Sequence, residues 1–284
     1  MPDGQLHLLP FDALRQDDGR YVLDSHIVTY APSASVLYLL RRRSYNHAPL
    51  NVLGVGDVPY SSLFTANMAG SSALAKGEEP SDLFDESVKS LPNLPGSREE
   101  VLTVADVMKG NNRVLLGSYA TEGQFKALSL RDYQVIHLAV HGVANLAFPD
   151  RAALILGHSP DLNEDGLLQA REIRELSLRA ELVTLSACDT GNGRLLGVEG
   201  ISSLENAFLM AGAKTVVASL WTADDTYTLA LMKRLYQRLA EGLDTGSVVQ
   251  RAKANFLEQF GNQTPPIFWA GFTVIGDAAT RIVD

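Results

Sequence analysis

Short apolar runs alternate with segments of helical periodicity along most of this 284-residue sequence. The apolar runs that have the length of strands are residues 50–55, 113–116, 135–140, 153–156, 182–186, 215–219 and 272–275. Helical spacing predicts helices at residues 33–43, 97–108, 121–128, 201–211, 229–239 and 247–260. This alternation is typical of βαβ units, so the sequence predicts an α/β fold with a mostly parallel central sheet of about six strands.

The chain has the length for one large core, and we expect a single domain over residues 1–284. Residues 1–49 are predicted to form an N-terminal extension, with strands and turns at 5–30 before the first helix. Residues 50–284 form the predicted core. Residues 60–95 are rich in Ser, Gly, Glu and Pro, which is typical of a long surface loop.

Charge and hydropathy exclude two classes of partner. The net charge of −9 is spread along the sequence and the only basic run, residues 41–43, is short, so we expect no nucleic-acid binding. The most apolar later stretch, residues 201–221, is interrupted by Glu205, Asn206 and Lys214. This pattern argues against a membrane span.

Cys188 is the single cysteine, which excludes an internal disulfide framework and a cysteine-based metal cluster within the chain. The N-terminus has no basic region that leads into an apolar one, so no secretory signal is predicted. We therefore expect a cytoplasmic protein in a reducing compartment, with no cofactor.

Two chemically reactive side chains follow predicted strands. Cys188 comes after the strand at 182–186 and before a glycine-rich turn, and His141 comes after the strand at 135–140 and before Gly142. A lone cysteine or histidine is more often a core residue than a catalytic one. If the two strands are adjacent and parallel, however, both side chains lie at the carboxyl edge, where open α/β sheets hold their sites.

A Cys–His pair has a defined chemistry. An unassisted thiol, with a pKa of about 8.5, is mostly protonated at neutral pH, so a neighbouring imidazole is needed to produce the thiolate nucleophile. Gly142 has no Cβ, which lets its N–H and that of Cys188 approach a scissile carbonyl as an oxyanion hole. His141 and Cys188 are 47 residues apart, close to the roughly 50 found in caspases.

Several blocks of the sequence resemble the CHAT family of caspase-like peptidases, which is related more distantly to separases and gingipains, and the likeness runs almost from end to end. The blocks are LLPFDAL (8–14), YAPSAS (30–35), LPGSREE (94–100), HLAVHG (137–142), LSACDTG (185–191), ASLWTADD (218–225) and FWAGF (268–272).

The resemblance implies a three-layer αβα caspase-like fold and a cysteine endopeptidase that hydrolyses protein substrates, with His141 as general base and Cys188 as nucleophile. It also implies that Trp221 and Asp224 line the substrate cleft. In relatives that cut after Arg or Lys, an aspartate occupies the position of Ser186. The resemblance therefore implies that Ser186 also contacts the substrate, but it does not imply a preference for basic residues.

Family members often carry helical repeats before this domain and act in bacterial signalling or defence under the control of a partner. The resemblance therefore implies a regulatory protein partner or an upstream helical-repeat region. The family tends to have one more strand just before the Pro-Asp-Gly turn at residues 2–4, so the resemblance implies either a fragment or a trimmed version of a longer protein.

Three alternatives remain open from the sequence. The first is a catalytically latent or inactive interaction module of the same fold. The second is a cysteine phosphatase, because residues 188–194 match the C-x5-R phosphate loop. The third concerns calcium: the residues Asp161, Asn163, Asp165 and Glu172 match the spacing of a calcium loop, although a strand and a turn precede them in place of a helix.

Overall fold

The computed structural model describes residues 6, 9–45, 50–61, 91–143, 149–158, 164–186, 198–221 and 224–283. The strands in these ranges are β1 (Asn51–Gly56), β2 (Asn111–Leu116), β3 (Val135–Leu138), β4 (Gly142–Val143), β5 (Ala153–Ile155), β6 (Leu167–Gln169), β7 (Leu182–Leu185), β8 (Thr215–Ser219) and β9 (Phe272–Gly276). The α-helices are α1 (Ala34–Arg41), α2 (Ser97–Met108), α3 (Glu122–Lys126), α4 (Ala170–Ile173), α5 (Val198–Ala211), α6 (Asp225–Ala240) and α7 (Thr245–Phe260). Within the described ranges, no helix has both the length and the apolar character that a membrane crossing requires.

Six strands form the central sheet in the order β2-β1-β3-β7-β8-β9. The first five are parallel to one another, and β9 pairs antiparallel with β8 at one edge. The predicted α/β fold with a mostly parallel sheet of about six strands is confirmed.

Successive residues of each strand face opposite sides of the sheet, and apolar side chains are buried on both faces. Val52 of β1 packs in a cluster with Val104 of α2, Leu235 of α6 and Phe256 of α7. The next residue, Leu53, belongs to a second cluster that holds core residues of α1, α3, α4 and α5. Helices therefore cover both faces, which gives the predicted three layers.

Two glycines bring α2 onto the sheet. A Cβ on Gly54 would lie 2.6 Å from Val101 Cγ1, and a Cβ on Gly56 would lie 3.1 Å from the Ser97 carbonyl oxygen. Because β1 has no side chain at these positions, the first turns of α2 rest directly on it. This close approach places the start of α2 at the carboxyl end of β1.

A second, antiparallel sheet has the order β4-β5-β6. The strand predicted at 153–156 is β5 in this small sheet and not a strand of the central one. β4 begins directly after His141, so the small sheet continues the chain that leaves β3.

The N-terminal segment differs from the strands predicted for it. Its described part holds two 3-10 helices, Phe11–Ala13 and Val22–Asp24, and joins the sheet only through an isolated bridge between Tyr30 and Ile275 of β9. The Tyr30 hydroxyl donates to the Leu9 carbonyl (2.7 Å). Side-chain and turn contacts of this kind satisfy the backbone where no continuous strand edge is offered.

Candidate active site

The strands that precede His141 and Cys188 are neighbours. β3 and β7 are parallel and paired in register, and the N–H of Ser186 extends the pairing by donating to the Leu138 carbonyl (2.9 Å). The chain thus leaves both strands at the same edge of the sheet. Cys188 follows Ser186 by two residues and lies outside the described residues, so its contact with His141 stays a prediction.

His141 is fully buried, and its ring is oriented by a backbone carbonyl. Nε2 lies 2.7 Å from the Pro92 carbonyl oxygen. Because a carbonyl can only accept, Nε2 carries the proton, and the nitrogen that can take up a proton in the neutral ring is Nδ1.

The small sheet sets the direction of the Gly142 N–H. The Ile155 N–H donates to the His141 carbonyl (2.7 Å), which makes residues 141 and 155 a hydrogen-bonded antiparallel pair. Gly142 and Leu154 are therefore a non-hydrogen-bonded pair. As a result, the Gly142 N–H points away from β5.

Ser186, a predicted substrate-binding residue, is buried and joined to α2. Its hydroxyl donates to Glu100 Oε1 in a short hydrogen bond, and the same oxygen lies 3.0 Å from His137 Nε2. Glu100 keeps 5% of its surface exposed, and His137 is fully buried. One buried carboxylate therefore links α2, β3 and the end of β7.

The polar network continues on the other side of His137. The Tyr236 hydroxyl lies 3.0 Å from His137 Nδ1 and 2.9 Å from Thr184 Oγ1. Burial raises the pKa of Tyr236, which keeps its phenol protonated and able to donate to Nδ1. The two ring nitrogens of His137 thus face Tyr236 and Glu100.

The other two predicted substrate-binding residues follow β8. Trp221 Nε1–H donates to the Ile267 carbonyl (2.8 Å), and Asp224 caps α6 by accepting from the N–H groups of Thr226 (3.0 Å) and Tyr227 (3.3 Å). Neither residue forms a hydrogen bond or an ion pair with His141 in the part of the chain that the structure describes. Their role in substrate binding stays a prediction.

The calcium pattern is preceded by the strand β5 and not by a helix, and its last residue, Glu172, lies in the short helix α4. β5 and β6 are antiparallel, and between them Asp165 Oδ1 accepts from the Leu167 N–H (2.8 Å). Asp161 and Asn163 lie outside the described residues. The expected mismatch with a helix–loop–helix calcium site is therefore present in the structure.

Lys126 occupies the centre of the carboxylates near this pattern. Its ammonium lies 2.8 Å from Glu122, 2.8 Å from Glu164 and 2.9 Å from Glu172, whose oxygens are all within 4.8 Å of one another. Burial raises the pKa of Glu122 to about 7, despite the opposing effect of Lys126. In this arrangement the lysine supplies the positive charge that a metal ion would bring.

Glu205 is a buried carboxyl on α5, the helix that follows the segment of Cys188. It is 8% exposed, and no cation among the described residues lies within ion-pair distance. Burial raises its pKa to about 8.

We expect a Glu205→Gln variant to be more stable than the wild type at alkaline pH. The folded state holds the Glu205 proton more tightly than the unfolded state, where the carboxyl has its ordinary pKa of 4.5. Stability therefore falls as the pH rises from about 5 to about 8, by about 1 kcal/mol per pH unit, and levels off above that range. Urea unfolding between pH 5 and 9 measures the difference, with the exposed Glu99→Gln as control. Parallel pH profiles of wild type and Glu205→Gln would show that the carboxyl titrates normally.

A central sheet of this order, with helices on both faces, gives this chain a caspase-like α/β fold, and His141 follows β3 by three residues. Separase from Saccharomyces cerevisiae, solved in a separase–securin complex, is similar over 95% of this chain and 15% of its own, with a TM-score of 0.50 and 13% identity. The Arg-specific cysteine proteinase gingipain R is similar over 81% of this chain and 46% of its own, with a TM-score of 0.46 and 11% identity. At such identities the likeness concerns the fold alone.

The family model of the CHAT domain matches residues 1–277, and the chain belongs to this family. Two curated relatives are tetratricopeptide repeat protein 28 of Mus musculus and of Homo sapiens, each 24% identical over 96% of this chain. The chain spans 12% of the length of these relatives.

Glu100 matches no catalytic or binding motif in the sequence, although its position relative to the apolar residues of α2 is informative. Glu100, Val104 and Met108 recur at every fourth position of α2, and all three are buried. A carboxylate in phase with an apolar stripe is expected to have a buried partner. The neighbouring Glu99 is out of phase and exposed.

Proposed function

We propose that this chain is a cysteine endopeptidase in which His141 and Cys188 act as a catalytic dyad on protein substrates. The observation that carries the proposal is the pairing of β3 with β7. Because the Ser186 N–H bonds to the Leu138 carbonyl, the two strands remain paired up to their carboxyl ends. His141 comes three residues after β3, and Cys188 comes three residues after β7 in the sequence, so both follow strands that end at the same edge of the sheet.

The reaction begins with transfer of the Cys188 thiol proton to His141 Nδ1, because Nε2–H is held by the Pro92 carbonyl. The thiolate attacks the scissile carbonyl carbon, and the imidazolium then protonates the leaving amine as the C–N bond breaks. Water, activated by the same nitrogen, hydrolyses the thioester and restores the thiol. A reducing, cytoplasmic setting fits this chemistry, since oxidation of the thiol would stop it.

The Gly142 N–H is the proposed donor to the oxyanion, together with the N–H of Cys188. Its direction, away from β5, supports this role because it is not used in the ladder with Leu154. One such donor stabilises the transition state by about 3 to 4 kcal/mol. Ser186, Trp221 and Asp224 remain the proposed contacts to the substrate.

We further propose that the enzyme is latent until a protein partner or a helical-repeat region acts on it. Full burial of His141 supports latency, because a base that serves a substrate needs access to the cleft. The name of the curated relatives, tetratricopeptide repeat protein 28, supports a helical-repeat region as partner. The same burial favours the second candidate, a silent interaction module. A bacterial signalling or defence pathway stays an expectation of the resemblance.

Labelling with peptide acyloxymethyl ketones tests the peptidase. A panel of probes with different terminal residues is applied to wild type, Cys188→Ala and His141→Gln, with and without a candidate helical-repeat partner. We expect labelling to vanish in Cys188→Ala and to slow by about 100-fold in His141→Gln, since general base catalysis contributes at least that factor. The preferred probe then defines the residue on the amino side of the cut.

Two controls make the result decisive. The exposed His26→Gln should label like the wild type, and alkylation of the unfolded proteins should find one thiol per chain, since Cys188 is the only cysteine. Equal labelling of wild type and His141→Gln would overturn the dyad. Absence of labelling under all conditions would favour the silent module.

A further inference from the structure

Tyr60 packs directly against the proposed general base. It follows β1 by four residues, is 1% exposed, and its ring lies 4.5 Å from the His141 ring, centroid to centroid, at an interplanar angle of 56°. Its ring contacts His141, and its hydroxyl is bonded to the main chains of His141 and Ile155. Any effect of Tyr60 on the reaction is therefore transmitted through His141.

The Tyr60 hydroxyl also bridges two backbones. The His141 N–H donates to the phenol oxygen (2.9 Å), and the phenol O–H donates to the Ile155 carbonyl (2.9 Å). The Ile155 N–H donates straight back to the His141 carbonyl (2.7 Å). These three bonds form a closed ring of donors and acceptors.

This ring replaces one rung of a regular strand pair. Paired residues of this type exchange two direct N–H···O bonds. Between His141 and Ile155 one bond is direct and the other passes through the phenol, so the hydroxyl lies between the two backbones at the residue just before β4. The position of the His141 main chain therefore depends on an oxygen atom that belongs to neither strand.

The His141 side chain is held by two segments that are bonded to each other, residues 60–61 and residues 92–93. Pro92 accepts from Nε2, and next to these residues Ser61 and Asn93 are joined by two hydrogen bonds, Ser61 N–H to Asn93 Oδ1 (3.1 Å) and Asn93 Nδ2–H to Ser61 Oγ (3.3 Å). Tyr60 therefore contacts the backbone and the ring of His141. Pro92, whose neighbour Asn93 is bonded to Ser61, holds Nε2 of the same ring.

We propose that Tyr60 is a positioning residue for the general base: its hydroxyl sets the backbone of His141, and its ring sets the plane of the imidazole. The inference rests on the proposed peptidase function, but its geometric content concerns His141 alone. Small displacements of a catalytic group reduce rates strongly, because proton transfer requires a near-ideal approach.

The Tyr60→Phe variant separates positioning from packing, since it keeps the ring and removes only the bridging oxygen. In a form that labels with the acyloxymethyl ketone, we expect the rate constant of labelling to fall about tenfold with little change in probe affinity. The exposed Tyr119→Phe is the matched control and should label like the wild type.

Imidazole ¹⁵N spectra give a second readout that does not need activity. His141 is assigned by the signal lost in His141→Gln. In the wild type we expect Nε2 protonated and Nδ1 unprotonated at neutral pH, and in Tyr60→Phe we expect a mixture of tautomers and a shifted titration of this one ring. A stable fold with unchanged ¹⁵N shifts and unchanged labelling would overturn the inference.

The outcomes distinguish the two proposals. If the wild type never labels, the peptidase fails, while the ¹⁵N spectra still decide whether the Tyr60 hydroxyl sets the ring of His141. If Tyr60→Phe does not fold, 3,5-difluorotyrosine at position 60 retains the hydroxyl but makes it a stronger donor and a weaker acceptor. A shift of the His141 resonances in that protein supports positioning, and wild-type resonances overturn it.

Discussion

Substituting Lys253 by Met is expected to destabilise the domain by about 4 kcal/mol. Lys253 of α7 is 1% exposed, and its ammonium bonds to Asp12 Oδ2 and, at 3.2 Å, to the Ala270 carbonyl. Without it, Asp12 is a buried carboxylate with no opposite charge, and removal of one member of a buried ion pair typically costs about 3 to 5 kcal/mol. Urea unfolding at pH 7 measures the loss.

A double variant identifies the cause of this loss. Asp12→Asn combined with Lys253→Met removes both charges. We therefore expect the double variant to regain more than half of the stability lost in Lys253→Met. The exposed Lys233→Met on α6 is the control for a change of net charge. If the double variant is as unstable as Lys253→Met, lost packing and not a stranded charge explains the effect.

Truncating Glu100 to Ala is the second large change, with an expected loss of about 3 to 5 kcal/mol. Its carboxylate is the acceptor for the Ser186 hydroxyl and faces the Nε2–H of His137, and both donors stay buried when it is removed. The stranded Ser186 hydroxyl costs about 1 to 3 kcal/mol, and the cavity left by the side chain adds to this. Thermal and urea unfolding of the variant measure the sum.

Glu99→Ala is the matched control, one residue away on the exposed side of α2. Its stability should stay within about 0.5 kcal/mol of the wild type, as for most surface substitutions. Glu100→Gln keeps one acceptor oxygen and should lose less than Glu100→Ala. Equal stability of Glu99→Ala and Glu100→Ala would mean that the carboxylate does not bind Ser186 and His137.

Local sequence determined most of the helices and strands because pattern and context agree there. α2 was predicted at residues 97–108 and is found at Ser97–Met108, and β8 was predicted at 215–219 and is found at Thr215–Ser219. In α2 an apolar stripe runs between Gly96 and Lys109, the latter in a left-handed conformation that ends the helix. Such signals lie within the segment itself.

The pairing of strands and the contacts between distant side chains were not predictable in the same way. The run at 153–156 has the character of a strand, but nothing in it specifies pairing with β4 and β6 instead of the central sheet. The contacts of Tyr60 with His141 span 81 residues, and no periodicity reports them. The position of His141 after a strand was therefore predictable from the sequence. The residues that support it, such as Tyr60, are brought to it only by the tertiary structure.

The tie between Asp12 and Lys253 joins positions 241 residues apart in the chain, and Tyr30 meets β9 across a similar span. During synthesis the N-terminal segment leaves the ribosome long before either partner exists. Contacts of such separation are formed late, since closing a long loop must be compensated by many native contacts. We therefore expect the nascent chain to hold an unpaired Asp12 until α7 has emerged, and incompletely folded chains of this kind are open to chaperones and proteases.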